Sequence, residues 1–220
     1  VTISGARSLL QMGYFAKTNG GHLTVTGNIN VMTNGTLTYY FPTNAPTALQ
    51  VGGNFGWSGA GGTIELIAAP TADPTNSPGG LLDWGAKDLT IPSGGKLRLA
   101  CDGITGSAVW LRLDAFTVEA GATNSANGDG YWTGWLGHRD GYGPGGGKLG
   151  SNSGGGGSYG GKGTMGSHNN NAGDVYGTNT HVWLPGSGGG VGTCSTVPLQ
   201  GCGGGGYIRV EARKVTVNGT

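Results

Sequence analysis

The stretch that decides the fold is Gly203–Thr220, GGGGYIRVEARKVTVNGT, in which a glycine run passes directly into two short alternating segments. The first, GGYIRVEA from Gly205, returns as GGTIELIA from Gly61 and GGKLRLAC from Gly94, with WLRLDA from Trp110 a relative that lacks the glycines. The second, VTVNG from Val215, returns as VTISG from Val1, LTVTG from Leu23, LQVGG from Leu49, LTIPSGG from Leu89 and FTVEAG from Phe116. Successive copies of this second motif start 22, 26, 40, 27 and 99 residues apart, counting from positions 1, 23, 49, 89, 116 and 215. Short strands recurring every 20 to 50 residues are the signature of a repeat whose units bury their apolar sides against their neighbours. Period-two alternation, as in Leu23 and Val25 or Ile208 and Val210, sends one set of side chains inward and the other outward. The expectation is an all-β protein, a parallel β-helix or β-solenoid.

One continuous domain is expected. Residues 1–126 form solenoid coils with a Pro-rich loop near 69–82, residues 127–206 are a glycine-rich insertion, and residues 207–220 supply the final strands. Within the first part, strands are expected at Leu23–Val25, Ile29–Val31, Thr36–Phe41 and Leu49–Val51, with Asn34-Gly35 marking a turn. Residues 6–18 read equally as a short end-capping helix or as an irregular strand. The loop APTADPTNSPGG from Ala69 cannot continue a ladder, because proline lacks a backbone donor.

Between Gly143 and Gly206, 25 of 64 residues are glycine. Such composition usually marks a flexible linker. Here the runs are punctuated by Tyr142, Tyr159, Tyr176, Trp183 and Tyr207, and both ends must meet the body. An ordered lobe of polyglycine-type extended helices packed side by side is therefore expected, since only glycine fits where backbones crowd together.

Charged residues make up 10% of the chain, against about 25% in ordinary soluble domains. The net charge is +1 and the basic residues are scattered, so no footprint for nucleic acid exists. No run approaches the roughly 18 apolar residues of a membrane span, and no signal peptide opens the sequence, as expected of a mature or trimmed product. Cys194 and Cys202, in a loop flanked by glycines, are expected to form a disulfide, which implies an oxidising compartment. Cys101 reads as a small buried apolar residue.

The series GYGPGGGKLG, GGGGSYGGKG, VYG, LPGSGGG and GGGGYIRVEARKVTVNG resembles the glycine-rich modules of secreted and surface proteins of environmental bacteria, which adjoin β-helical repeats. Similar runs occur in phage tail-tip adhesins. The resemblance covers Asn127 to Thr220 and implies an architecture and a surface setting; it carries no catalytic residues. The cysteine pair is a departure from the usual run.

Polysaccharide-acting enzymes on β-helices need several convergent carboxylates. This chain has eight Asp and three Glu, spread thinly. Glu65, Arg98, Arg112, Asp114, Arg209 and Glu211 fall at alternating strand positions and read as a solvent-facing ladder. Trp132, Trp135, His138, Asp140 and Tyr142 form the densest polar-aromatic patch, a candidate sugar platform or a structural staple. Asn34 and Asn218 head N-glycosylation acceptor triplets. No metal or cofactor pattern is present.

The expected function is a non-enzymatic structural protein, extracellular or at the cell surface. It would assemble head-to-tail into a filament or fibre through its end strands, Val1, Thr2 and Ile3 against Val215, Thr216 and Val217. Its partners would be copies of itself, and glycans. The alternative is an adhesin or carbohydrate-binding module of a larger fibre.

Overall fold

The computed structural model describes the chain outside residues 6–7, 14–20, 44–47, 60, 74–78, 135–137, 167–171, 179, 181, 195–196 and 200–201. The central sheet has five parallel strands in the order β12 (Thr123–Ser125), β10 (Lys96–Ala100), β8 (Thr63–Ile67), β5 (Thr36–Tyr40) and β2 (Leu9–Met12). Its register stacks Leu10, Leu37, Ile64, Leu97 and Asn124 in one inward column, with steps of 27, 27, 33 and 27 residues, and Met12, Tyr39, Leu66 and Leu99 in the next. Leu37, Tyr39, Ile64, Leu66, Leu97 and Leu99 are buried. These are the alternate positions of the glycine-led motifs, so the period-two pattern sets the register.

Three further parallel sheets close on the same core. One has the order β1 (Thr2–Ile3), β4 (Ile29–Val31), β7 (Phe55–Trp57). Another has β15 (Arg209–Val217), β11 (Val109–Val118), β9 (Gly80–Ile91), and a third pairs β3 (Leu23–Val25) with β6 (Leu49–Val51). A single apolar cluster draws on all four sheets, from Ile3 and Ile29 through Leu49 and Leu66 to Phe116 and Val118. The strand β7 lies beside β9, with the Phe55 and Trp84 rings 4.9 Å apart. A short antiparallel pair, β13 (Gly192–Cys194) and β14 (Val197–Leu199), stands apart.

This architecture corrects the sequence expectation. The strands form four small parallel sheets, and among the described residues there is neither a closed solenoid nor a helix. A physical reason for the separation is visible at β6 and β9. Instead of a neighbouring strand, the Lys87 ammonium donates to the carbonyls of Val51 and Gly53. The pairing of β9 with β11 then shifts register between Leu113 and Ala115. The strand reading of residues 6–18 holds at β2, and the rest of that stretch is outside the described residues except for Ser8 and Gly13. The Pro-rich loop is closed at its base by the Ala69 N–H donating to Gly79 O, with residues 74–78 outside the description.

Among the described residues the expected lobe of polyglycine-type helices likewise shows no helix. The glycine-rich segment is held instead by single backbone hydrogen bonds between irregular chain segments. Gly147 donates to Gly188 at 3.0 Å, Gly188 to Tyr142 at 3.0 Å, Gly190 to Gly155 at 2.9 Å and Gly204 to Tyr131 at 2.8 Å. The approach is too close for side chains: a Cβ added at Gly188 would lie 1.7 Å from the Trp132 carbonyl oxygen, and one at Gly204 would lie 1.8 Å from that of Gly186. Backbone packed on backbone satisfies polar groups that a buried loop would otherwise leave unpaired. No described helix is long and apolar enough to cross a membrane.

Candidate functional site

The most informative surface is the free edge of β15. This strand is hydrogen-bonded to β11 on one side, and β11 to β9, in a register that aligns Leu89, Phe116 and Val215, then Ile91, Val118 and Val217. Along these columns exposure runs from 1% and 3% to 55%, and from 0% and 1% to 60%. The valines occupy core positions but lack a covering neighbour, so the apolar interior opens to solvent here.

At the far side of the sheets, β1 pairs only with β4. Val1 is 55% exposed and Thr2 is exposed, whereas Ile3 is buried against the turn at Gly35. Of the six residues expected to make assembly contacts, Val1, Thr2, Val215 and Val217 are thus accessible, Thr216 is half-buried and Ile3 is not available. Leu9, exposed on the edge strand β2, escaped the sequence reading. Its motif copy lacks the flanking glycines that marked the others.

The charged residues expected to stack do so on the outer faces. Arg98 bridges Glu65 at 3.2 Å and the nearly buried carboxylate of Asp129, and these partners hold its guanidinium charged. Arg112 sits between Asp83 at 3.0 Å and Glu211 at 3.6 Å. The Trp110 ring has the Arg209 guanidinium 3.7 Å and that of Arg112 4.6 Å from its centroid. Such ladders tie parallel strands together with cation–π contacts and screened ion pairs.

Arg213 clasps Asp114 with two hydrogen bonds, 2.7 and 2.8 Å, and holds its carboxyl below the ordinary range. With a depressed folded value, the pair's contribution is complete above the ordinary Asp pKa of about 3.9 and is lost as pH falls through the folded value. Arg213→Ala is expected to move the Asp114 midpoint upward in a carboxyl NMR titration; an unchanged midpoint would refute the pairing.

The aromatic patch is stapled to itself. His138 stacks on Tyr142 at 4.1 Å, and Tyr142 meets Trp132 edge-on at 6.4 Å. The Tyr142 N–H donates to Trp132 O, His138 Nδ1 lies 2.8 Å from Asp140 O, and the Asp140 carboxylate accepts from the Leu149 N–H and meets Lys148. Trp135 lies outside the described residues. These contacts join the patch to the start of the glycine-rich segment.

Cys202 is exposed, and the partner expected for it in a bridge is Cys194. The Cys194 side chain is outside the described residues. Cys101 is buried, and burial pushes its thiol up to about 12. Because the thiolate is the nucleophile, iodoacetamide at neutral pH is expected to spare Cys101 in the folded chain and to modify it after denaturation. Rapid native labelling of Cys101, read by peptide mass spectrometry, would contradict the packing. Asn34 is exposed at a turn tip with φ 61°, and Asn218 is exposed just after β15.

No protein-family model, curated protein or solved structure matches this chain.

Proposed function

We propose that the chain is a non-enzymatic structural protein of the cell surface or extracellular space that joins copies of itself end to end into a filament or fibre. The observation that carries this reading is the pair of core columns that end in half-exposed Val215 and Val217 on the free edge of β15. A free parallel edge offers unpaired N–H and C=O groups to another chain. Covering each valine contributes about 1 kcal/mol at 25 cal/mol per Å² of apolar surface. The edges at β15 and at β1 differ, so their contact is heterologous and propagates instead of closing. The low charge density supports close packing of copies, and exposed Asn34 and Asn218 offer points for glycans. Negative-stain electron microscopy across a dilution series tests the reading. It predicts filaments with a regular axial repeat, and discrete subunit-sized particles at all concentrations would refute it.

A further inference from the structure

Beside the Ile208 side of β15 lies an open groove of about 950 Å³, bounded by β12, by Gly205–Glu211 and by Val182 and Trp183 of the glycine-rich segment. Its volume falls at the upper end of the usual 300–1,000 Å³ for ligand sites. Trp183 is 51% exposed, and its backbone N–H is tied to the body by donating to Tyr159 Oη at 3.1 Å. Tyr159 is in turn packed edge-on against Tyr176 at 4.9 Å. An exposed indole whose backbone is tied in this way offers a flat apolar platform, and Tyr207 supplies a second aromatic lining.

The rest of the lining mixes apolar side chains, Ala126, Val182, Ile208 and Val210, with polar ones, and its two charged side chains are of opposite sign. Asn127 brings an exposed amide. Arg209 and Glu211 offset one another, the guanidinium being laid on Trp110 and bonded to Glu211 at 3.3 Å. An incoming peptide strand would need the free backbone groups of β12. Thr220 already takes the Asn124 N–H, accepting from it at 2.6 Å, and donates to Ala122 O just before the strand at 3.1 Å. The groove is therefore read by side chains. Aromatic faces stack on the C–H faces of sugar rings while an amide and an ion pair serve their hydroxyls, in keeping with the mixed apolar and polar lining of ligand sites.

We infer that this groove binds a neutral oligosaccharide, with Trp183 as the stacking platform and Asn127 and Glu211 as hydroxyl partners. The assembly edge uses the Lys214–Val217 half of β15 and the groove uses the other, so this inference and the filament reading stand or fall separately.

Isothermal titration calorimetry of the 220-residue chain with neutral hexasaccharides of glucose and of N-acetylglucosamine, and with an acidic oligogalacturonide, provides the test. At least one neutral hexasaccharide is expected to bind, at least tenfold more weakly to Trp183→Ala and near wild-type strength to Trp183→Phe. Absence of binding by both neutral probes, unchanged affinity in Trp183→Ala, or preference for the acidic probe would each overturn the inference.

Discussion

Replacing Val215 and Val217 together with lysine is expected to abolish self-association while leaving the folded chain intact. Both side chains are more than half exposed, and exposed substitutions away from special features usually change stability by less than about 0.5 kcal/mol. In an assembled edge the same two ammonium groups would lie on the Phe116 and Val118 columns, taken from water without partners. That costs several kcal/mol per contact and is repeated at every junction. Sedimentation separates the two effects from one another. The double variant should stay a 21.9 kDa species under conditions that polymerise the wild type, with an unchanged melting curve. Assembly that persists would remove the β15 edge from the account, and a large loss of thermal stability would place the valines in the monomer core.

Gly188→Ala is expected to cost roughly 2–3 kcal/mol or more, the range for forcing an extra methyl into a packed site. The added Cβ would meet the Trp132 carbonyl oxygen at 1.7 Å and its carbon at 2.3 Å. Backbone atoms cannot rotate aside as a flexible side chain can. The same contact region carries the Gly188 N–H donated to Tyr142 and the Gly147 N–H donated to Gly188, so relief of the clash breaks hydrogen bonds. For a chain of this size the melting temperature should fall by roughly 5–10 °C. Gly161→Ala is the control, since nothing lies within 4 Å of its added Cβ. Equal melting of the two variants would show that the glycine-rich segment is not held by these approaches.

The strands were legible because their signal is local. Leu37, Ile64 and Leu97 alternate with polar residues and follow glycine, and the same pattern fixes their common column. Thr123–Ser125 gave no such signal, having no apolar alternation, and pairs only because β10 presents an edge beside it. Phe55–Trp57 was equally hidden, since Gly56 interrupts it. How the strands divide into sheets depends on long-range contacts. The Lys87 ammonium, for instance, meets the Val51 and Gly53 carbonyls at the end of β6, and nothing local to VGG or GAK announces that contact.

The glycine-rich segment shows the converse. Its composition rightly signalled backbone contact, yet the geometry of that contact is set by which carbonyl meets which amide, as at Gly190 and Gly155, and sequence spacing does not encode it. The Trp132–Tyr142 patch is visible as a cluster in the sequence, and the stacking of Tyr142 on His138 joins its members. The groove at Trp183 was not visible as a site, because its walls come from positions as far apart as Asn124, Trp183 and Glu211.

The most direct measurement is sedimentation velocity of the wild-type chain over a hundredfold range of concentration. If the open edge at Val215 and Val217 is an assembly surface, the sedimentation coefficient should climb steadily with concentration, without a plateau at any small closed oligomer. A single 21.9 kDa species throughout would contradict the account.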